Sequence, residues 1–170
     1  MAFSPTESKL ISEKGHIHFL SHTTLEDIKA DNYKIKSSLD MSSGAVIISV
    51  PMQSYKFDNA TMQKHYNSPK FLDTKQFPKS KFKGTITNLS DVNFSKDGTY
   101  NATIEGNLTL HGITKPVTEN ATFKVSGSKI TLDSKMKLTL ADYKIAFENG
   151  KPSKNIAKTI DVTTKIEFTK

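Results

Sequence analysis

The sequence predicts an all-β protein: eight antiparallel strands curled on themselves, with one short helix between the third and fourth strands. Three observations predict it. Apolar and polar residues alternate with period two over long runs, tight-turn residues separate those runs, and almost no segment carries helical spacing. With so little helix to cover them, the apolar faces must cover one another, in a sandwich or a closed barrel. Runs of about 11 to 13 residues favour the barrel, whose tilted strands are long.

Residues 1–14 read as an N-terminal segment, partly disordered, and the weaker strands follow at Gly15–Ser21, Asn32–Asp40, Ala45–Phe57 and Lys81–Leu89. The clear strands come next. From Tyr100 to Leu110 the even positions hold Tyr, Ala, Ile, Gly, Leu and Leu against polar odd ones. From Val117 to Val125 the odd positions hold Val, Glu, Ala, Phe and Val. Ile130–Leu140 and Ile160–Phe168 repeat the form. Met41-Ser42-Ser43-Gly44, Lys96-Asp97-Gly98 and Gly127-Ser128 lie between runs and make hairpins of neighbours. Asp58 or Asn59 caps a helix reaching about Tyr66, stopped by Asn67-Ser68-Pro69, and Ala141–Ile156 reads as a loop.

Composition narrows the function. The 170 residues include no cysteine or tryptophan, and all 24 cationic residues are lysine against 17 acidic ones, for a net charge of +7. One domain, 1–170, is long enough to bury a core unaided. Lack of cysteine excludes disulfides, thiolate metal sites and cysteine nucleophiles. A basic chain invites nucleic acid, but arginine, the residue of bidentate phosphate and guanine recognition, is absent and the lysines are dispersed. The N-terminus lacks the cationic and apolar regions of a signal peptide, and no apolar run reaches the length of a membrane helix. Asn-x-Ser/Thr triplets at Asn59, Asn88, Asn93, Asn101, Asn107 and Asn120 read as a by-product of strands rich in Asn and Thr.

Small residues interrupt the apolar stripes at Gly84, Ala102, Gly106, Ala121 and Ser134. They mark either empty interior volume or close strand packing and corners. Alternation alone does not say which way the apolar face points. An outer-membrane barrel has the same period and stays a minor alternative, against which stand the absence of Trp, the lack of aromatic girdles at strand ends and Glu119 on the apolar face. His16 and His18 project from one face of a strand, with His22 nearby, yet no third ligand stands at motif spacing and no metal site is expected. No catalytic motif or cofactor fingerprint is present, so neither catalysis nor a cofactor is expected.

The stretch Leu108-Thr109-Leu110-His111-Gly112-Ile113-Thr114-Lys115-Pro116-Val117 resembles the signature turn of the YceI-like family. Upstream, Asp58-Asn59 to His65, Ser68-Pro69-Lys70-Phe71-Leu72-Asp73, Phe77-Pro78 and Phe82-Lys83-Gly84 are similar to its helix and following strand, and Asp142-Tyr143-Lys144-Ile145 to its later Asp-Phe-Gly-Ile. The segment Phe19–Ile28 departs from the common pattern, as in a sub-branch. The resemblance implies a lipocalin-like barrel that binds, stores or transports a polyisoprenoid or related long-chain lipid, in the periplasm or outside the cell with its signal peptide removed. The expected partner is that lipid, with no nucleic acid and no integral membrane segment, and a homodimer stays open. The alternative is an exported stress-related or structural barrel that acts through a surface partner without lipid.

On this reading the lipid-facing interior comprises Ile35, Val46, Ile48, Phe82, Ile86, Ala102, Ile104, Gly106, Leu108, Phe123, Leu132, Met136, Val162 and Ile166, with Met62, Tyr66, Phe71 and Glu119 at the mouth. Gly106→Phe is expected to reduce lipid loading more than stability.

Overall fold

The computed structural model describes residues 8–145, 147–148, 151–152 and 154–170. The strands are β1 (Lys9–Ser12), β2 (Lys14–His22), β3 (Asp27–Asn32), β4 (Lys36–Asp40), β5 (Ala45–Pro51) and β6 (Lys56–Phe57). The helix α1 (Ala60–Asn67) follows, then β7 (Lys79–Ile86), β8 (Gly98–Leu110), β9 (Ile113–Ser126), β10 (Lys129–Thr139), β11 (Phe147–Glu148), β12 (Lys151–Pro152) and β13 (Thr159–Thr169). β11 and β12 pair with each other, and the rest form one curled 11-stranded antiparallel sheet in the order β1-β4-β5-β7-β8-β9-β10-β13-β2-β3-β6. Only Glu13 separates β1 from β2, so the strand at one end of this order continues directly into the strand beside β13. The Ser12 hydroxyl stitches that corner, donating to the Glu167 carbonyl and accepting from the Lys14 amide.

Eleven strands of the main sheet stand where the period predicts eight: one long run is broken by local chemistry, and two short strands, β1 and β3, lie outside the predicted runs. Asn32 is fully buried; its amide nitrogen donates to the Pro51 carbonyl at 2.9 Å and its side-chain oxygen accepts from the Lys34 amide at 2.9 Å. Those bonds turn the chain at the start of the run 32–40, so that Asn32 ends β3 and only Lys36–Asp40 of that run forms a strand, β4. Pro51 has no N–H for the ladder, and a 3-10 turn at Met52–Ser54 divides the next run into β5 and β6. Asp27–Asn32, whose alternation is weak, forms a hairpin with β2. Lys9–Ser12, expected within a partly disordered segment, pairs with β4 and buries Leu10. Residues 1–7 lie outside the described residues.

Turn chemistry sets the register. His111 and Gly112 both adopt positive φ (54° and 73°), the conformation that lets a two-residue turn follow strand twist, so Leu110 faces Ile113. A Cβ on Gly112 would also lie 2.5 Å from the Phe77 ring. The α1 helix is capped by Asn59, whose side-chain oxygen accepts from the amides of Thr61 (2.8 Å) and Met62 (3.2 Å).

The core is solid toward the Gly127 turn. There Ile35, Leu39, Val46, Ile104, Phe123, Ile130, Leu132, Ile166 and Phe168 are all buried, and Phe94 meets Phe123 edge-on at 5.3 Å. Toward the His111-Gly112 turn the wall parts. The ladder between β9 and β10 stops at Ala121–Ser134, while β9 goes on with β8 to Ile113 and β10 goes on with β13 to Thr139. The segment Leu140–Ile145 lies at that seam, where a His111 ring nitrogen is 2.9 Å from the Tyr143 carbonyl.

Candidate functional site

An apolar cavity of about 280 Å³ fills the end of the sheet where β9 and β10 separate. That is near the lower edge of the roughly 300–1,000 Å³ range of ligand pockets. Its walls are β2 (Ile17, Phe19), β5 (Ile48, Val50), β7 (Phe82), β8 (Leu108, Leu110), β9 (Val117, Glu119), β10 (Met136, Leu138) and β13 (Ile160, Val162). The helix and its flanks supply Met52, Tyr55, Phe57, Met62, His65, Tyr66, Phe71 and Leu72, and the seam supplies Leu140 and Ile145. Helix placement follows from burial of Tyr66, whose hydroxyl donates to the Met52 carbonyl at 3.1 Å. Its ring joins Phe19, Tyr55 and Phe57 in an aromatic cluster with centroids 5.0 to 6.2 Å apart.

Of the interior residues expected from sequence, Ile48, Phe82, Leu108, Met136 and Val162 line this cavity, as do Met62, Tyr66, Phe71 and Glu119. The others do not. Ile35, Val46, Ile86, Ala102, Ile104, Phe123, Leu132 and Ile166 share the inward stripes but sit in the closed half, at most 3% exposed. Gly106 is corrected most sharply. It faces Gly84 across β7 and β8, and a Cβ there would lie 2.2 Å from the Lys83 carbonyl oxygen and 2.5 Å from the Gly84 Cα. The glycine permits close backbone approach and lines no void, so Gly106→Phe would attack the pairing before it reached any ligand.

Sequence reasoning missed Phe19, Tyr55, Leu110, Val117 and Leu138. Leu110, Val117 and Leu138 continue stripes already legible, so the signal existed, but alternation does not say which half of a stripe borders empty space. Phe19 and Tyr55 belong to weakly patterned segments.

Two polar groups in the wall lack partners among the described residues. Glu119 is 9% exposed, and among the described residues its carboxyl makes no hydrogen bond or ion pair; burial raises its pKa above the ordinary value. The Tyr55 hydroxyl is likewise unpaired among the described residues, and burial raises its pKa too. Ser80, by contrast, donates to the Thr109 carbonyl at 2.8 Å, and Ser21 accepts from the Ala157 amide at 2.9 Å.

The histidines lie elsewhere. His16 Nε2 and His18 Nδ1 both approach Asp31 Oδ1, at 2.7 and 2.8 Å, and the His16 ring stacks on Tyr33 at 4.2 Å. Burial raises the Asp31 carboxyl, but the hydrogen bonds and charge of the two histidines outweigh it and hold its pKa below 3.8. His22 turns to Asp27 instead. Among the described residues no group of three His, Cys, Asp or Glu side chains is arranged to hold a metal ion. No helix among them is long and apolar enough to cross a membrane.

A curled antiparallel sheet with an apolar hollow, closed by a Leu-His-Gly-Ile turn, agrees with a family match: the YceI-like domain covers residues 5–168. The chain belongs to the YceI-like domain family. Among curated relatives, a UPF0312 protein of Pseudomonas putida (strain W619) is 33% identical over 106 residues, 62% of this chain and 50% of the relative. Another, from Pseudomonas fluorescens (strain Pf-5), is 39% identical over 80 residues, 47% of this chain and 39% of that protein. The chain thus spans about half the length, or less, of these relatives. Solved structures share the fold at low identity. Burkholderia cenocepacia BcnA matches with TM-score 0.75 and 14% identity over 90% of this chain and 95% of that one. A polyisoprenoid binding domain from Saccharophagus degradans, implicated in plant cell wall breakdown, matches with TM-score 0.78 and 11% identity over 95% and 98%.

Proposed function

We propose that this YceI-like chain is a non-enzymatic lipid-binding protein that takes a polyisoprenoid or related long-chain lipid into the cavity between β9, β10 and α1. The carrying observation is the apolar hollow itself, about 280 Å³ and walled mostly by aliphatic and aromatic side chains. The polyisoprenoid class comes from the Saccharophagus degradans domain, which shares this fold. The direct run of β1 into β2 supports reading the sheet as a closed, lipocalin-like barrel whose seam at β9 and β10 is the entrance. A location outside the cytoplasm belongs to this proposal and rests on the family resemblance.

Volume bounds the guest. An apolar cavity of about 150 Å³ takes one benzene, so this one takes on the order of two isoprene units, about ten carbons. At about 0.8 kcal/mol per buried carbon the gross gain is about 8 kcal/mol, against association costs of at least about 4 kcal/mol. A longer chain must widen the seam or project through it. Affinity should therefore climb with tail length to about ten carbons and then flatten unless the seam opens.

Native mass spectrometry of gently purified protein, with organic extraction, is the test. A copurified long-chain lipid that is lost in Val162→Phe, with its Tm kept, supports the reading. Lipid-free protein that also takes up no added isoprenoid overturns it and leaves the surface-partner alternative.

A further inference from the structure

Glu119 is anomalous for a pure hydrocarbon sleeve. It stands on the apolar stripe of β9 between Val117 and Ala121, opposite Ile104 of β8, where the ladder to β10 ends. Among the described residues its carboxyl has no partner, although it is 9% exposed. Among the described residues no lysine lines the cavity, and the other titratable groups there are His65, Tyr55 and Tyr66. A carboxyl in such a place is costly unless something donates to it, since an unpaired buried polar group forfeits its hydration. An apolar guest would deepen that cost by expelling the remaining water.

We propose that Glu119 reads the polar head of the bound lipid and selects an uncharged hydrogen-bond donor, a hydroxyl, over carboxylate or phosphate. The inference rests on the lipid-binding reading and deepens it. A hydroxyl donates to the carboxyl whether it is ionised or not, and brings no second charge into the cavity. An anionic head would face Glu119 with no lysine among the described lining residues to offset the repulsion, and like charges in a site of low polarity disfavour one another strongly. A cationic head would need two ions desolvated together, which the Coulomb gain seldom exceeds. A bare hydrocarbon leaves the carboxyl unpaired. The hydroxyl is the head chemistry that resolves the unpaired group at least cost.

Ten-carbon ligands of one tail and different heads isolate this term: geraniol, geranic acid, geranyl phosphate and the hydrocarbon myrcene. They are titrated into delipidated protein at pH 7 while the methyl signals of Met52, Met62 and Met136, all in the cavity wall, are followed by NMR. Geraniol is expected to bind at least tenfold more tightly than either anion and more tightly than myrcene. In Glu119→Leu the order of geraniol and myrcene reverses, and Glu119→Gln, which keeps a hydrogen-bonding head, retains geraniol binding while relaxing the exclusion of anions. Equal binding of all four ligands to the natural chain, or a geraniol preference that survives Glu119→Leu, overturns the head selection and leaves lipid binding standing. If not even myrcene moves the methionine signals, lipid binding itself fails and the head selection with it.

Discussion

Gly106→Ala separates close strand approach from empty volume at the position where the two readings of a small residue diverge. Adding one methyl puts a carbon 2.2 Å from the Lys83 carbonyl oxygen and 2.5 Å from the Gly84 Cα. Both contacts are with backbone, so no rotamer change relieves them. Overpacking of this kind costs about 1–3 kcal/mol. Against it stands the stabilisation of about 0.4–1 kcal/mol that alanine gives by restricting the unfolded chain. The first effect wins, leaving a net loss of about 1–2 kcal/mol. At about 2–4 °C per kcal/mol for a chain of this size, Tm falls by roughly 2–8 °C. Thermal unfolding followed by circular dichroism reads the shift, and lipid bound per folded molecule should stay at the level of the natural chain, because Gly106 is not in the cavity wall. A Tm that rises, with loading reduced, would refute the reasoning and restore the void at Gly106.

Other perturbations test the remaining parts. Asn32→Ala strands the Pro51 carbonyl and the Lys34 amide, and should cost about 1–3 kcal/mol in urea unfolding; an unchanged midpoint would mean the β3–β4 bend holds without it. The Asp31 carboxyl, depressed by His16 and His18, contributes stability above its unfolded pKa that is lost as pH falls through the folded one. Asp31→Asn should accordingly lower Tm at pH 7, with the gap to the natural chain closing as pH falls below 3.8; a constant gap across that range counts against the ion pairs. Burial raises Glu119 above 4.5, so its contribution is fully present below that pH and is lost as pH rises through the folded value. Glu119→Gln should therefore raise Tm of lipid-free protein at pH 7, with the gain fading toward pH 4. An equal gain at both pH values would show that its carboxyl is not held out of water.

Much of the architecture was legible because a half-buried strand writes its two faces into alternate residues. The stripes at Tyr100–Leu110, Val117–Val125, Ile130–Leu140 and Ile160–Phe168 became β8, β9, β10 and β13 with the inward residues as read. Breaks were harder, since Asn32 ends β3 and turns the chain toward β4 through side-chain bonds to residues as far off as Pro51, and period two does not register such bonds. The site was half legible for a related reason. Phe82, Leu108, Met136 and Val162 border the cavity while Ile104, Phe123, Leu132 and Ile166, alike in pattern, fill the closed half.

By itself the sequence determined the all-β class, the antiparallel neighbours, the inward faces, a helix cap at Asp58 or Asn59 and the turn at His111-Gly112. These are local matters, set by side-chain alternation and backbone dihedrals. Tertiary structure alone decided where the interior is hollow. That depends on β9 and β10 parting beyond Ala121 and Ser134, on α1 setting Tyr66 against Met52, and on Gly84 and Gly106 drawing two backbones together. A void is a property of the space between strands distant in sequence, and no single strand encodes it.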